Sequence, residues 1–135
     1  FDASQVNRTL DEVTPEVARL SAYVLENIKY TEHNAAYVVL DNETLEQFTL
    51  EDAGTAPIVP LVGKISSVIC WTVLVQQKDE TYRLRIRSKG PVINELAKEY
   101  EGGGHTLASG AILRSLDELP TYLAKLDKIA ASAEK

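Results

Sequence analysis

Methionine is missing altogether from the sequence, and the first residue is Phe1. A complete translation product begins with methionine, so the chain is expected to be a piece of a longer protein. Cysteine is nearly missing. Cys70 alone cannot close an intrachain disulfide, which fits a reducing, cytoplasmic setting. No apolar run approaches the roughly 20 residues that span a bilayer, and no secretory leader pattern opens the chain. Membrane partners are therefore not expected. Positive charge is in deficit: 14 Lys and Arg face 20 Asp and Glu, a net −6. That balance argues against broad electrostatic binding of nucleic acid or anionic membrane. Any anion site must be a local patch. Histidine is scarce too. His33 and His105 stand alone, with no HxH, HExxH or CxxC. Two-metal phosphoester hydrolysis needs several carboxylates and histidines converging on ions about 3.5–4 Å apart. No catalytic metal centre is expected in these residues, and no Ser/His/Asp or Cys/His triad stands out.

What is present describes one globular domain. A chain of 135 residues, 44% apolar and 25% charged, is long enough for a real core. Residues 1–13, with Val6, Leu10 and Val13 on one stripe, read as a lead-in helix or interdomain connector. Residues 14–135 read as the folded domain. Thr14-Pro15-Glu16 is a helix start, with a capping threonine, proline in the first turn and then an acid. Val17, Leu20, Val24, Leu25 and Ile28 carry that helix to about Asn27. Ile28–Thr31 and Ala35–Leu40 read as strands around the turn Glu32-His33-Asn34, where His33 is expected to be exposed and without a role. A short helix follows at Glu43–Phe48. The acids of Glu43–Asp52 read as a solvated face. Val68–Gln76 is apolar on both faces and should be the central strand, with Cys70 a buried, inert thiol. Pro91–Glu101 reads as a helix burying Val92, Ile93, Leu96, Ala97 and Tyr100. Ser109–Leu113 reads as a last strand. Ser115 and Glu118 suggest a capping box before a final helix that ends near Ser132. The expected fold is α/β, a mixed sheet of about five strands covered by helices.

Two stretches exceed what a fold requires. The strand Tyr82–Ser88 alternates strictly, placing Arg83, Arg85, Arg87 and Lys89 on one face. Basic residues also protect a sheet edge; that reading can cover Arg83 and Arg85, whose contact with substrate the sequence leaves open. It accounts less well for Arg87 and Lys89 at the strand end, where open α/β sheets carry ligands. The second stretch is Gly102-Gly103-Gly104-His105. One glycine after a helix is a common C-cap; three in a row with a histidine ask for more. Such glycines suit positive φ, or a nest of bare amides that holds an anion.

Gly102-Gly103-Gly104-His105-x-x-Ala108-Ser109-Gly110-Ala111 is preceded by Arg85-Ile86-Arg87-Ser88-Lys89-Gly90 and Asn94-Glu95-Leu96-Ala97. Together these resemble the C-terminal DHH-associated domain of the DHH phosphoesterases, in particular the RecJ-like oligoribonuclease and phosphoadenosine-phosphate phosphatases. The resemblance implies that Arg87, Ser88 and Lys89 face a substrate phosphate, and that Gly102, Gly103, Gly104 and His105 hold it. It also implies an N-terminal catalytic domain with Mn²⁺, whose Asp-His-His motif has no counterpart here. This chain then needs no cofactor of its own and is not expected to be active alone. Expected partners are a short single-stranded oligonucleotide or nucleotide phosphate, the missing catalytic domain, and a homodimer through the parent protein. The competing reading is a nucleic-acid-docking or interaction module whose glycines serve only the fold.

Overall fold

A computed structural model describes residues 14–133; the lead-in reading for residues 1–13 lies outside them. The first helix, α1 (Pro15–Asn27), starts as its sequence dictates. Thr14 caps it by accepting from the Val17 amide at 3.2 Å. Then come β1 (Lys29–Tyr30), β2 (Ala35–Leu40), α2 (Asn42–Gln47) and α3 (Ile58–Val62). The remainder is β3 (Cys70–Gln76), β4 (Tyr82–Ser88), α4 (Asn94–Glu99), β5 (Gly103–His105), β6 (Ala108–Leu113) and α5 (Leu119–Ser132). The sheet has six strands in the order β1-β2-β3-β4-β6-β5. Only β2 and β3 are parallel, and residues 41–69, with α2 and α3, supply the crossover that a parallel pair needs. No helix among the described residues is long and apolar enough to cross a membrane.

Among the described residues, the two faces of the sheet are covered unequally. Under one face, Cys70, Leu74, Leu84, Ile86 and Leu113 pack with Ile93 and Leu96, and with Tyr122, Leu126 and Ala130 of α5. On the other face, Val38, Leu40, Trp71, Val73 and Val75 pack with Leu20 and Val24 of α1, Leu45 of α2, and Ile58 and Val62 of α3. No residue of β4, β6 or β5 belongs to this second cluster. The upper helices stop over β3. Among the described residues, half of that face is left without a layer. The reason is in the sequence of β4: its odd positions are arginines, which cannot be buried under a helix without partners.

β3 is central and buried, as its two apolar faces demand. Its alternation begins only at Cys70. The Val68 amide donates to Ile65 O in a turn, so Val68 joins Trp71 in the upper cluster, not Cys70 below. Burial pushes the Cys70 thiol up to about 12, with Asp127 adding to the effect, in keeping with an inert core residue. The helix expected over Pro91–Glu101 is shorter. The Ile93 amide donates to Thr106 O, which diverts the chain before Asn94, and Val92 is left half exposed. Ser115 caps a single 3₁₀ turn, Leu116–Glu118, ahead of α5, and Glu118 reaches back to the Arg114 amide at 3.0 Å.

His33 corrects the sequence reading. Its ring Nδ1 lies 2.7 Å from Asp127 Oδ2, and its backbone amide donates to Asp127 Oδ1 at 2.8 Å. The turn between β1 and β2 is thereby latched to α5. Local sequence cannot show a partner 94 residues away. Burial alone would raise the Asp127 carboxyl, but hydrogen bonds from Thr31 and His33 outweigh it and hold the group below its ordinary value. A depressed carboxylate contributes stability above its unfolded pKa, near 3.9, and loses it as pH falls through the folded value. Asp127→Asn is therefore expected to cost about 1 kcal/mol at neutral pH. The gap in melting temperature between variant and wild type should close below about pH 4. A gap that persists to pH 2 would mean that the latch does not depend on the charge.

Candidate functional site

The open half-face is built by strand register. Arg87 of β4 lies opposite Ala108 of β6, which lies opposite His105 of β5. Directly opposed residues of antiparallel strands share a face. Arg87, Ala108 and His105 therefore form one row, with about 10 Å between the outer Cα atoms. The next row, one repeat along, is Arg85, Gly110 and Gly103. Arg83 lies opposite Ile112 in the row after that. Between Arg85 and Arg87 and the last strand there is only a methyl group at Ala108 and bare backbone at Gly110. The result is a trough with a guanidinium wall and an imidazole at its rim.

Arg87 is held in place without being neutralised. Its Nη1 donates to Ile86 O at 2.9 Å and to Ser109 O at 3.3 Å. These acceptors are carbonyls. Among the described residues no carboxylate pairs with it. Burial lowers its pKa, and the neighbouring Arg85 charge lowers it further. A half-buried cation beside a second cation favours the arrival of an anion. His105 is exposed at the end of β5, and its carbonyl accepts from Ser109 Oγ at 2.8 Å. The Thr106-Leu107 turn behind it is tied on both sides, by Ser88 N to Leu107 O and by Ile93 N to Thr106 O.

Not every expected residue reaches the trough. Alternation sends Ser88 to the covered face, where it is buried and accepts from the Gly90 amide. Lys89 follows the strand, and its Nζ donates to Ile65 O at 2.9 Å. The triple glycine does not curl into a nest. Gly103–His105 is a strand, which is why the sheet has six strands where about five were expected. Nor does Gly102 take the left-handed position after α4; Glu101 does, at φ 63°, with its carboxylate held by Arg114. Each glycine has its own reason. A Cβ at Gly102 would stand 1.9 Å from Gly110 O. At Gly104, φ is 146° and a Cβ would stand 2.8 Å from Ala108 O. At Gly103 a Cβ would meet nothing within 4 Å. Packing requires the first and the third glycine but not the second, which faces the trough. Gly110 and Ala108, which make the trough's floor, carry no signal in sequence until the register is known.

A hollow of about 1430 Å³ does not contain Arg87 or His105. It lies between α2 and the sheet, lined by Leu45, Leu50, Arg83, Gly102, Gly110 and Ile112 among others, and so continues the trough past Arg83. Acids also line this hollow (Glu46, Glu51, Asp79 and Glu101), which disfavours an anion there. Among the described residues, one group offers three metal-ligating side chains within 4.8 Å: Glu32, His33 and Asp127. His33 and Asp127 spend those atoms on each other, at the far edge of the sheet from β5. One such group does not supply the donors of a two-metal centre, so no catalytic step is assigned to a metal here.

The chain is 46% identical over 118 residues to the probable bifunctional oligoribonuclease and PAP phosphatase NrnA of Streptococcus mutans, covering 87% of this chain and 38% of that protein. It is 38% identical over 134 residues to the bifunctional oligoribonuclease and PAP phosphatase NrnA of Bacillus subtilis, covering 99% and 42%. The chain thus spans about two fifths of the length of these relatives. An exopolyphosphatase-related protein from Bacteroides fragilis shares the fold, with a TM-score of 0.83 at 24% identity over 96% of this chain and 41% of that one. Residues 50–132, from the loop after α2 to the end of α5, match the DHHA1 domain, and the chain belongs to that family.

Proposed function

We propose that the chain is the substrate-binding domain of a phosphoesterase acting on short oligonucleotides or nucleotide phosphates. The row Arg87–Ala108–His105 carries this reading. A terminal phosphate laid over Ala108 reaches the guanidinium from one side and the imidazole from the other. The free edges of the Arg87 guanidinium can give two parallel donors to phosphate oxygens. His105 adds a donor and, when protonated, a charge. Gly103 leaves the rim open. The relatives' names support the substrate class. Bond cleavage belongs to a catalytic domain elsewhere in the parent protein, with Mn²⁺ as the metal that the sequence resemblance implies. Anchoring one end of the substrate fixes how far the scissile bond lies from that centre, a positioning effect worth several kcal/mol.

Calorimetric titration of the chain with a nucleoside 5′-monophosphate tests this. Arg87→Ala is expected to weaken binding about 10- to 100-fold, the value of a charge-assisted contact, and His105→Ala about tenfold. Unchanged affinity in both variants, with circular dichroism showing intact folds, would end the proposal. Salt dependence separates it from the docking-module reading. One or two phosphate contacts give a log–log slope of about −1, whereas a long RNA track gives a much steeper one. The net charge of −6 favours the shallow slope.

A further inference from the structure

Ser109 touches both arms of the site. It stands in β6 opposite Ile86 of β4 on one side and Gly104 of β5 on the other. Alternation puts its side chain on the covered face with Ile86, and it is buried. A buried hydroxyl needs a partner, and that of Ser109 donates to His105 O at 2.8 Å. The carbonyl of the same residue accepts from Arg87 Nη1 at 3.3 Å. Arg87 and His105 belong to strands that are not neighbours; β6 lies between them. Ser109 therefore joins them through the intervening strand.

The link matters because of where His105 sits. β5 is three residues long and ends the strand order of the sheet. A short edge strand has few packed contacts, and such segments are the first to open. His105 is its last residue and is exposed. The turn beyond it is anchored by backbone amides, Ile93 N to Thr106 O and Ser88 N to Leu107 O. Those bonds fix the turn, whereas Ser109 Oγ holds the carbonyl of the residue that carries the imidazole. Gly104 leaves space for this bond: a Cβ there would stand 2.9 Å from Ser109 Oγ. The glycine before the histidine and the serine after it thus form one unit.

We propose that Ser109 is a positioning residue for the phosphate site: its hydroxyl sets the backbone of His105, and its carbonyl registers that setting against the Arg87 guanidinium. The proposal rests on the function given above and adds to it a residue that touches no ligand. Imidazole and guanidinium must meet one phosphate from two sides, so a misplaced imidazole is felt as lost affinity. Removing the hydroxyl leaves the carbonyl in place, and with it the Arg87 arm.

The test is a binding cycle read by calorimetry, with a nucleoside 5′-monophosphate as the ligand. Ser109→Ala is expected to weaken binding about fivefold in the wild-type chain. In His105→Ala it should change binding by less than about 1.5-fold, because the group it positions is gone. A merely structural serine would cost the same in both backgrounds. Proton NMR gives a second readout. The chain has two histidines, so the ring resonance of His105 is identified by its loss in His105→Ala. The ligand should move that resonance in the wild-type chain and move it much less in Ser109→Ala. Ser109→Cys fills the same space with a weak donor; it should show the same loss and carries the test if Ser109→Ala folds poorly. Equal loss with and without His105, or no loss at all, overturns the positioning role. That failure differs from failure of the first reading, in which Arg87→Ala and His105→Ala leave the monophosphate affinity unchanged.

Discussion

Gly102→Ala is expected to lower the melting temperature by roughly 10 °C, about 3 kcal/mol, whereas Gly103→Ala should leave it within about 2 °C. The two residues are neighbours in an unbroken run of glycine, and their surroundings differ. An added Cβ at Gly102 would lie 1.9 Å from Gly110 O and 2.6 Å from Ala111 Cα. Both are backbone atoms of β6, so no rotamer change can relieve the overlap. The Gly102 amide, which donates to Ala97 O at 2.9 Å, and the Ile112 amide, which donates to Tyr100 O at 2.8 Å, fix this crossing of α4's end over β6. Something in the backbone must shift. At Gly103 the added methyl group stands in open space, and alanine costs a strand less conformational entropy than glycine. Its penalty falls on binding: affinity for a short oligonucleotide should drop about tenfold, because the methyl stands beside His105 where the ligand enters. Thermal unfolding and titration of the two variants settle the matter. Equal destabilisation by both would show that the spacing argument misassigns the glycines.

The second large effect lies in the core. Tyr122 is fully buried, its hydroxyl 2.6 Å from Thr72 Oγ1, with its ring edge-on to Tyr100 at 5.2 Å. Burial raises its pKa, opposed in part by the Thr72 hydrogen bond. Tyr122→Ala is expected to cost about 4 kcal/mol through lost contacts and the cavity left behind. Tyr122→Phe and Thr72→Val should each cost about 2 kcal/mol, because each strands a buried hydroxyl. The double variant replaces both partners by apolar groups of similar shape and should recover most of that loss. Denaturant unfolding of the four proteins closes the cycle. Additive losses would mean that the two hydroxyls are not each other's partners.

Much of this architecture was legible in the residues. Thr14-Pro15, the apolar β3 and the alternating β4 each carry a local rule strong enough to fix an element. The alternation also told correctly that Arg83, Arg85 and Arg87 share a face. What local rules could not tell was register. Whether His105 lies above Arg87 or beyond it depends on which residue of β6 stands between them, and a slip of one would have put it on the other face. The same limit hid the Asp127 partner of His33, the role of Tyr122, and the floor made by Ala108 and Gly110. The glycine run misled in a specific way. Its composition suits a nest, but three extended residues beside β6 complete a ladder, and that ladder satisfies their amides better.

The upper helical layer ends over β3, and this has a consequence for how the molecule responds to what it binds. Arg87 is half buried beside the Arg85 charge, and folding must hold it there. An anion that settles on Arg87 binds only the folded form, so occupancy and melting temperature rise together. At a hundred times its dissociation constant, such a ligand would add about 2.7 kcal/mol.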